Sequence, residues 1–209
     1  MPPERATPPV GVILAGGRAT RMGGGDKCLR RIGGRTLLEH VIERARPQVS
    51  RLIVSANGDP GRFAPFGLPV VADGVGGVGG FAGPLAGVLS GLAWARVHAT
   101  DCLWVASFAA DTPFFPDDLV TRMRAAVADA DADLACAASG GRTHPVFGLW
   151  PVRLADALRH ALDVEAMRRI DRWTARYRLA TAEYPASPRD PFFNVNGPDD
   201  LAAAERMLD

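Results

Sequence analysis

Between positions 14 and 27 the chain reads Leu14-Ala15-Gly16-Gly17-Arg18-Ala19-Thr20-Arg21-Met22-Gly23-Gly24-Gly25-Asp26-Lys27. Five glycines let the backbone come close to an anion, and successive N–H groups can point into one concavity. Arg18, Arg21 and Lys27 add positive charge to the same stretch. Lys27 offers a compact point charge for a phosphate, and an arginine such as Arg21 can clamp phosphate oxygens with two parallel bonds. The composition suits a triphosphate, although it equally describes a flexible surface loop with ordinary basic residues. Two familiar phosphate-binding designs are excluded. A P-loop needs Lys followed by Ser or Thr, whereas Lys27 is flanked by Asp26 and Cys28; the spacing after Gly16 does not give a dinucleotide fingerprint.

Other positions carry chemistry less specifically. Asp111 follows a hydrophobic run in Ala109-Ala110-Asp111-Thr112-Pro113. A carboxylate there can hold Mg²⁺, a hard cation that takes oxygen ligands, or it can cap the next helix. Asn57-Gly58 and Asp73-Gly74, taken alone, are turn dipeptides. Gly83-Pro84 opens a helix, and helix N-termini favour anions. Asn194 and Asn196, two residues apart, would face the same side of a strand. A lone His144 is more often structural than functional. Arg168-Arg169 could meet an acceptor phosphate, but a solvated helix face accounts for them better. The tryptophans Trp94, Trp104, Trp150 and Trp173 read as packing.

The elements that must position these residues follow from hydrophobic periodicity. Strands are predicted at Val10–Leu14, Leu52–Ser55, Val70–Ala72, Leu103–Phe108, Leu134–Ala138, Val146–Trp150 and Leu179–Tyr184, with Cys28–Ile32 as a short extended piece. Helices are predicted at Thr36–Arg46, from Gly83-Pro84 onward with Leu85, Val88, Leu89 and Leu92 on one side, from Pro116 onward, and at Arg153–Leu162, Val164–Arg176 and Pro198–Leu208. Alternating strands and helices imply a three-layer α/β/α, Rossmann-like fold with a mainly parallel sheet. Ligands bind such sheets at the carboxyl ends of the strands, where the glycine-rich stretch lies.

The 209 residues are expected to form one domain over residues 10–209, preceded by a Pro-rich, disordered lead-in over residues 1–9 that is no signal peptide. The glycine-rich run Gly74–Gly80 is expected to be mobile and could form a lid. A net charge of +1 gives no bulk attraction to nucleic acid or membrane, so neither is expected as a partner. Cys28, Cys102 and Cys136 have no metal-ligand spacing and fit a reducing cytoplasm.

The order of residues is more specific than their composition. Leu-Ala-Gly-Gly, three residues, Arg-Met-Gly and then Lys resembles the signature of nucleotidyltransferases with a glycosyltransferase-A-like fold. Gly-Gly after Leu-Ala, with Asp directly before Lys, is similar to the molybdenum cofactor guanylyltransferases. Further matches follow in that family's order: Gly33–Leu38, Ser55-Ala56-Asn57, Val71-Ala72-Asp73, Gly83-Pro84-Leu85-Ala86-Gly87, Asp111-Thr112-Pro113, His144-Pro145 and Asn194-Val195-Asn196 before Pro198. The chain departs from the usual Pro-Cys before Asp111, carrying Ala109-Ala110 instead.

The resemblance implies transfer of GMP from GTP to the phosphate of molybdopterin, with Mg²⁺ as cofactor. It implies Lys27, Arg21 and Asp111 as catalytic residues, Asp111 also as metal ligand. Leu14, Ala15, Gly16, Gly17, Lys27, Asn57, Asp73, Gly83 and Asp111 are the implied nucleotide-binding positions, and His144, Asn194 and Asn196 the implied acceptor-binding ones. The N-terminal half would hold the nucleotide and the C-terminal half the pterin; molybdoenzymes or other cofactor-biosynthesis proteins are implied partners. A cytidylyltransferase on the same pterin usually carries Ala-Ala-Gly in place of Ala-Gly-Gly. A sugar-phosphate nucleotidylyltransferase is generally longer. A catalytically silent pterin-binding or docking module is the alternative of another class.

Overall fold

The computed structural model describes residues 7–16, 25–73 and 83–208. In chain order the strands and helices are β1 (Val10–Leu14), β2 (Arg31–Ile32), β3 (Arg35–Thr36), α1 (Leu37–Ala45), β4 (Arg51–Ser55), β5 (Val70–Val71), α2 (Pro84–His98), β6 (Trp104–Ala109), α3 (Leu119–Asp129), β7 (Leu134–Ser139), β8 (Arg142–Pro151), α4 (Ala155–Asp163), α5 (Ile170–Thr174), β9 (Leu179–Tyr184) and α6 (Pro198–Arg206). A seven-stranded sheet has the order β5-β4-β1-β6-β8-β7-β9. The pairs β5–β4, β4–β1, β1–β6 and β7–β9 are parallel, and β8 runs antiparallel between β6 and β7. The sheet is therefore mixed, and mainly parallel as expected.

Alternation along β1 builds both layers of core. Val10 and Val12 pack with Leu85, Val88, Leu92, Trp150 and Trp173 on one face. Ile13 joins Leu38, Val41, Leu119 and Met123 on the other. The apolar stripe of α1 is fixed by a capping box: the Glu39 amide donates to Thr36 Oγ1 (3.1 Å), and the Thr36 amide donates to Glu39 Oε2 (2.6 Å). Helix α2 lies unusually close to β1. A Cβ on Gly87 would stand 2.7 Å from Leu14 Cδ2, and one on Gly91 2.9 Å from Val12 Cγ1. That approach brings the N-terminus of α2 to the carboxyl ends of β1, β4 and β6.

β8 carries an irregularity that matters for the site. Cys136 pairs with Gly148 and the next residue, Ala137, with His144, so residues 145–147 stand out of the ladder. Pro145, lacking an N–H, suits such a place. Where the β6–β8 ladder ends, the buried Ser107 hydroxyl replaces it. Its Oγ donates to the Val146 carbonyl (2.6 Å) and accepts from the Gly148 amide (3.2 Å) and Trp150 Nε1 (2.8 Å).

Several expectations need correction. Only Ile170–Thr174 of the stretch 164–176 is helical: Val164 caps α4, and Ala166 takes φ 52°, which interrupts any continuation. Cys28 lies in a 3₁₀ turn over Lys27–Leu29, and the extended part is the two-residue β2, paired with β3. Asn194 and Asn196 lie in an irregular segment, not a strand. The helix after Asp111 begins only at Leu119 with Asp118 as its N-cap, so Asp111 does not cap it. Leu103 is 71% exposed, and the strand starts at Trp104. Among the described residues, no helix is long and apolar enough to cross a membrane.

Candidate functional site

The parallel strands β1, β4 and β6 end side by side, and a cleft with roughly 740 Å³ of open space lies beyond them. Leu14 ends β1 and Gly16 follows it, Ser55 ends β4, and Ala109 ends β6 with Asp111 just beyond it; Asp73, Gly83 and Asn194 complete the polar and backbone lining. Its position agrees with the rule that open α/β sheets bind ligands at the carboxyl ends of strands.

At one end Lys27 organises the polar groups. Its ammonium donates to Asp111 Oδ2 (2.5 Å), Asn194 Oδ1 (3.0 Å) and Asn196 Oδ1 (2.5 Å). Three donors meet three oxygens, which satisfies a lysine completely. Residue 27 is only 8% exposed, so this charge is largely withdrawn from water. A partly buried ion pair adds little stability against a well-packed apolar alternative. Its charge and its hard oxygen donors are better matched to phosphate and metal chemistry. The backbone holds the cluster: the Val195 amide donates to the Asp111 carbonyl (3.0 Å), and the amides of Asn196 and Gly197 donate to Asp200 Oδ2 at the start of α6 (2.8 and 2.9 Å).

At the other end Asp73 is held by both carboxylate oxygens. Ser55 Oγ donates to Oδ1 (2.8 Å), and Asn57 Nδ2 donates to Oδ2 (2.9 Å). The Asp73 amide returns a bond to Asn57 Oδ1 (2.9 Å). An ionised carboxylate has about four acceptor positions, so each oxygen can still accept one more hydrogen. Asn57 is thus a brace for Asp73. Gly83 caps α2 with φ 70° and ψ −172°, a conformation open essentially to glycine.

The sequence-derived residues therefore divide. Lys27, Asp111, Asn194 and Asn196 form one cluster. The asparagines were expected at the acceptor but sit on the lysine expected at the phosphates. Leu14, Gly16, Asp73 and Gly83 line the same cleft, while Ala15 is buried and its amide donates to the Ser55 carbonyl (2.9 Å). Gly17, Arg18 and Arg21, and the glycine run Gly74–Gly80, lie outside the described residues.

His144 is not among the residues lining the cleft. Its Nε2 lies 2.7 Å from Ser139 Oγ, which donates to Asp190 Oδ1 (2.8 Å), and its ring stacks on Phe192 at 4.6 Å. The serine's one hydrogen goes to Asp190, so Nε2–H donates to the serine. Burial holds the His144 pKa below the ordinary histidine value. It braces the segment that leads to Asn194. Arg168 donates to the Leu162 and Met167 carbonyls and Arg169 pairs with Asp171, so both guanidinium groups face their own chain.

Sequence reasoning did not single out Val146, Ser107 or Arg62. Val146 lines the cleft because of the β8 bulge, whose only local signal is Pro145. Cys28, next to Lys27, has its thiol pKa pushed up to about 12 by burial and by the charges of Asp26 and Asp111, so it is a neutral packing group.

The family described as "MobA-like NTP transferase domain" matches residues 11–180. The chain is 59% identical over 197 residues to the molybdenum cofactor guanylyltransferase of a Bradyrhizobium species, covering 94% of this chain and 92% of the relative. It is 50% identical over 201 residues to that of Mesorhizobium japonicum, covering 95% of each. Among solved structures, molybdopterin-guanine dinucleotide biosynthesis protein A from Archaeoglobus fulgidus superposes with TM-score 0.71 at 22% identity, over 95% of this chain and 98% of that one. The 4-diphosphocytidyl-2C-methyl-D-erythritol synthase of Anaerococcus prevotii superposes with TM-score 0.69 at 11% identity, over 97% and 99%, a likeness of fold alone. With a matching domain over residues 11–180 and these relatives along nearly its whole length, the chain belongs to the molybdenum cofactor guanylyltransferase family of MobA-like NTP transferases.

Proposed function

We propose that the chain transfers GMP from GTP to the terminal phosphate of molybdopterin, forming the guanine dinucleotide and releasing pyrophosphate. The observation that carries this reading is one cleft with a doubly braced carboxylate, Asp73, at one end and the Lys27–Asp111–Asn194–Asn196 cluster at the other. Asp73 can accept from the adjacent N1–H and amino group of guanine, whereas cytosine offers no such pair. Lys27 would meet the phosphates and the charge that develops on the departing pyrophosphate, a task the family resemblance assigns to Arg21 as well.

The oxygens of Asp111, Asn194 and Asn196 converge on a cation, and this hard donor set fits Mg²⁺. Asp111 is the residue that would hold the ion, and one carboxylate is enough where nucleotide phosphates supply the remaining ligands. When bound, the ion neutralises charge on the phosphate oxygens.

The reaction is an in-line displacement. An oxygen of the pterin phosphate forms a bond to the α-phosphorus of GTP, the bond from that phosphorus to the β-phosphate bridge oxygen breaks, and pyrophosphate leaves with the electron pair. The attacking oxygen is already anionic, so no general base is required, and no histidine lines the cleft among the described residues. Lys27 and its oxygen partners act by positioning and charge stabilisation. The acceptor would enter from the side of the segment braced by Ser139, His144 and Asp190. Three unpaired, buried cysteines suit the reducing cytoplasm, where molybdoenzymes and other cofactor-biosynthesis proteins would be partners.

The test is pyrophosphate release from purified protein with Mg²⁺, molybdopterin and each of the four NTPs. Release with GTP alone is expected. Equal turnover with CTP would overturn the base assignment, and binding of GTP without any turnover would leave a silent binding module.

A further inference from the structure

Arg62 is not among the residues that line the cleft, yet it joins the two ends of it. It lies in a 3₁₀ segment over Pro60–Phe66 whose ring Phe63 is fully buried, and its guanidinium sits 4.6 Å from the centre of that ring. Its Nη2 donates to the Asn57 carbonyl (2.6 Å), and its Nη1 donates to the Asp59 carbonyl. Its Nε lies 2.5 Å from Asp26 Oδ2, an ion pair off the N–H axis that leaves this buried N–H without an aligned acceptor. Asp26 is the residue before Lys27, and its carbonyl accepts from the Leu29 amide (3.2 Å), so it opens the turn that carries the ammonium. Asn57 is the brace of Asp73. One planar guanidinium therefore bridges Asn57 and Asp26, 31 residues apart in sequence, the first holding the base-reading carboxylate and the second preceding the phosphate-reading lysine.

We propose that Arg62 is a positioning residue that fixes the separation between the guanine-reading pair Asn57–Asp73 and the phosphate-binding Lys27. The proposal rests on the nucleotide reading of the cleft given above. A ligand that fills both ends gains from a fixed spacing because its second contact becomes intramolecular, and that gain is lost when the spacing wanders. A ligand that fills one end only is indifferent to it. Arg62 thus contributes to affinity for GTP without touching it. Lysine cannot replace it, since a single ammonium lacks the fork that reaches Asp26 and two carbonyls at once.

The experiment is titration calorimetry of the full-length chain with three probes: GTP, guanosine and inorganic triphosphate, all in Mg²⁺ buffer. For Arg62→Ala the expected result is a GTP affinity lower by about tenfold, within the range of couplings between contacting residues, while guanosine and triphosphate each change by less than about twofold. Arg62→Lys is expected to lose about as much GTP affinity, and it carries the test if the alanine variant does not fold. Equal losses for all three probes would show a general structural role and overturn the proposal. A loss confined to guanosine or to triphosphate would show direct contact and overturn it too, as would a wild-type-like lysine variant or no loss in either. If the unmodified protein binds GTP no more tightly than the two fragments, the nucleotide reading itself fails, which is a different result from any of these.

Discussion

Replacing Ser107 by alanine removes one oxygen from a residue with no exposed surface, and the structure lets the cost be worked out. Two donors lose their acceptor: Trp150 Nε1–H, now at 2.8 Å, and the Gly148 amide, at 3.2 Å. Each unsatisfied buried donor costs about 1–3 kcal/mol. The Val146 carbonyl loses its 2.6 Å donor as well. The space vacated by a single oxygen is too small for a bridging water. The expected destabilisation is therefore about 3 kcal/mol, a large part of a typical domain stability. For a chain of this length it corresponds to a fall in melting temperature of about 6–12 °C. Urea denaturation followed by tryptophan fluorescence measures it directly, with the denaturant slope expected to stay constant. Since Val146 lines the cleft, turnover with GTP should fall in the same variant under conditions where it remains folded. A loss of stability below about 0.5 kcal/mol would refute the claim that this hydroxyl replaces the sheet ladder at the bulge.

Three other predictions address the cleft walls and the base. Gly91→Ala should destabilise by about 1 kcal/mol in urea titrations although alanine is the better helix former, because overpacking costs about 1–3 kcal/mol against a propensity gain of about 1; its Cβ would meet Val12 Cγ1 at 2.9 Å and Cβ at 3.0 Å. Gly87→Ala should be nearly neutral in stability, since the atom at 2.7 Å is the movable end of Leu14, but should raise the KM for GTP by pushing that side chain into the cleft. Asp73→Asn should lower kcat/KM for GTP by about tenfold or more in steady-state assays while leaving the affinity for inorganic triphosphate unchanged, because the amide nitrogen cannot accept from guanine. The Cys28 thiol binds its proton more tightly in the folded chain, with its pKa raised from 9.0 to about 12. Its contribution to stability is complete below pH 9 and lost as pH rises from there towards 12, so the urea midpoint should fall over that window, and less steeply in Cys28→Ala.

How far the sequence reveals this molecule depends on the range of the interactions concerned. The strand of Val10–Leu14, the capped helix after Thr36 and the proline-started helix at Pro84 are legible because their signals are local. The convergence of Lys27, Asp111 and the Asn194–Asn196 segment is legible only as a set of motif matches; spacing alone leaves them up to 169 residues apart. The antiparallel β8 and its bulge at residues 145–147 are not legible, because a side chain from another strand, Ser107, replaces the missing backbone partners. The broken helix over 164–176 shows the opposite error: its apolar residues follow a helical spacing, but Ala166 adopts a positive φ that interrupts the helix. Arg62 is invisible for a further reason, since nothing around it in sequence shows that Asp26 and Asn57 lie at its two ends.

The most direct measurement of the central claim is a single-turnover reaction with GTP radiolabelled at the α-phosphate, Mg²⁺ and molybdopterin. The label is expected to appear in the pterin dinucleotide, with the rate lowered by about a hundredfold or more in both Lys27→Ala and Asp111→Ala, the size of loss seen when a charge-stabilising group is removed. Label that stays in free guanine nucleotide with the unmodified protein, or rates left unchanged by both substitutions, would contradict the assignment of that cluster to phosphoryl chemistry.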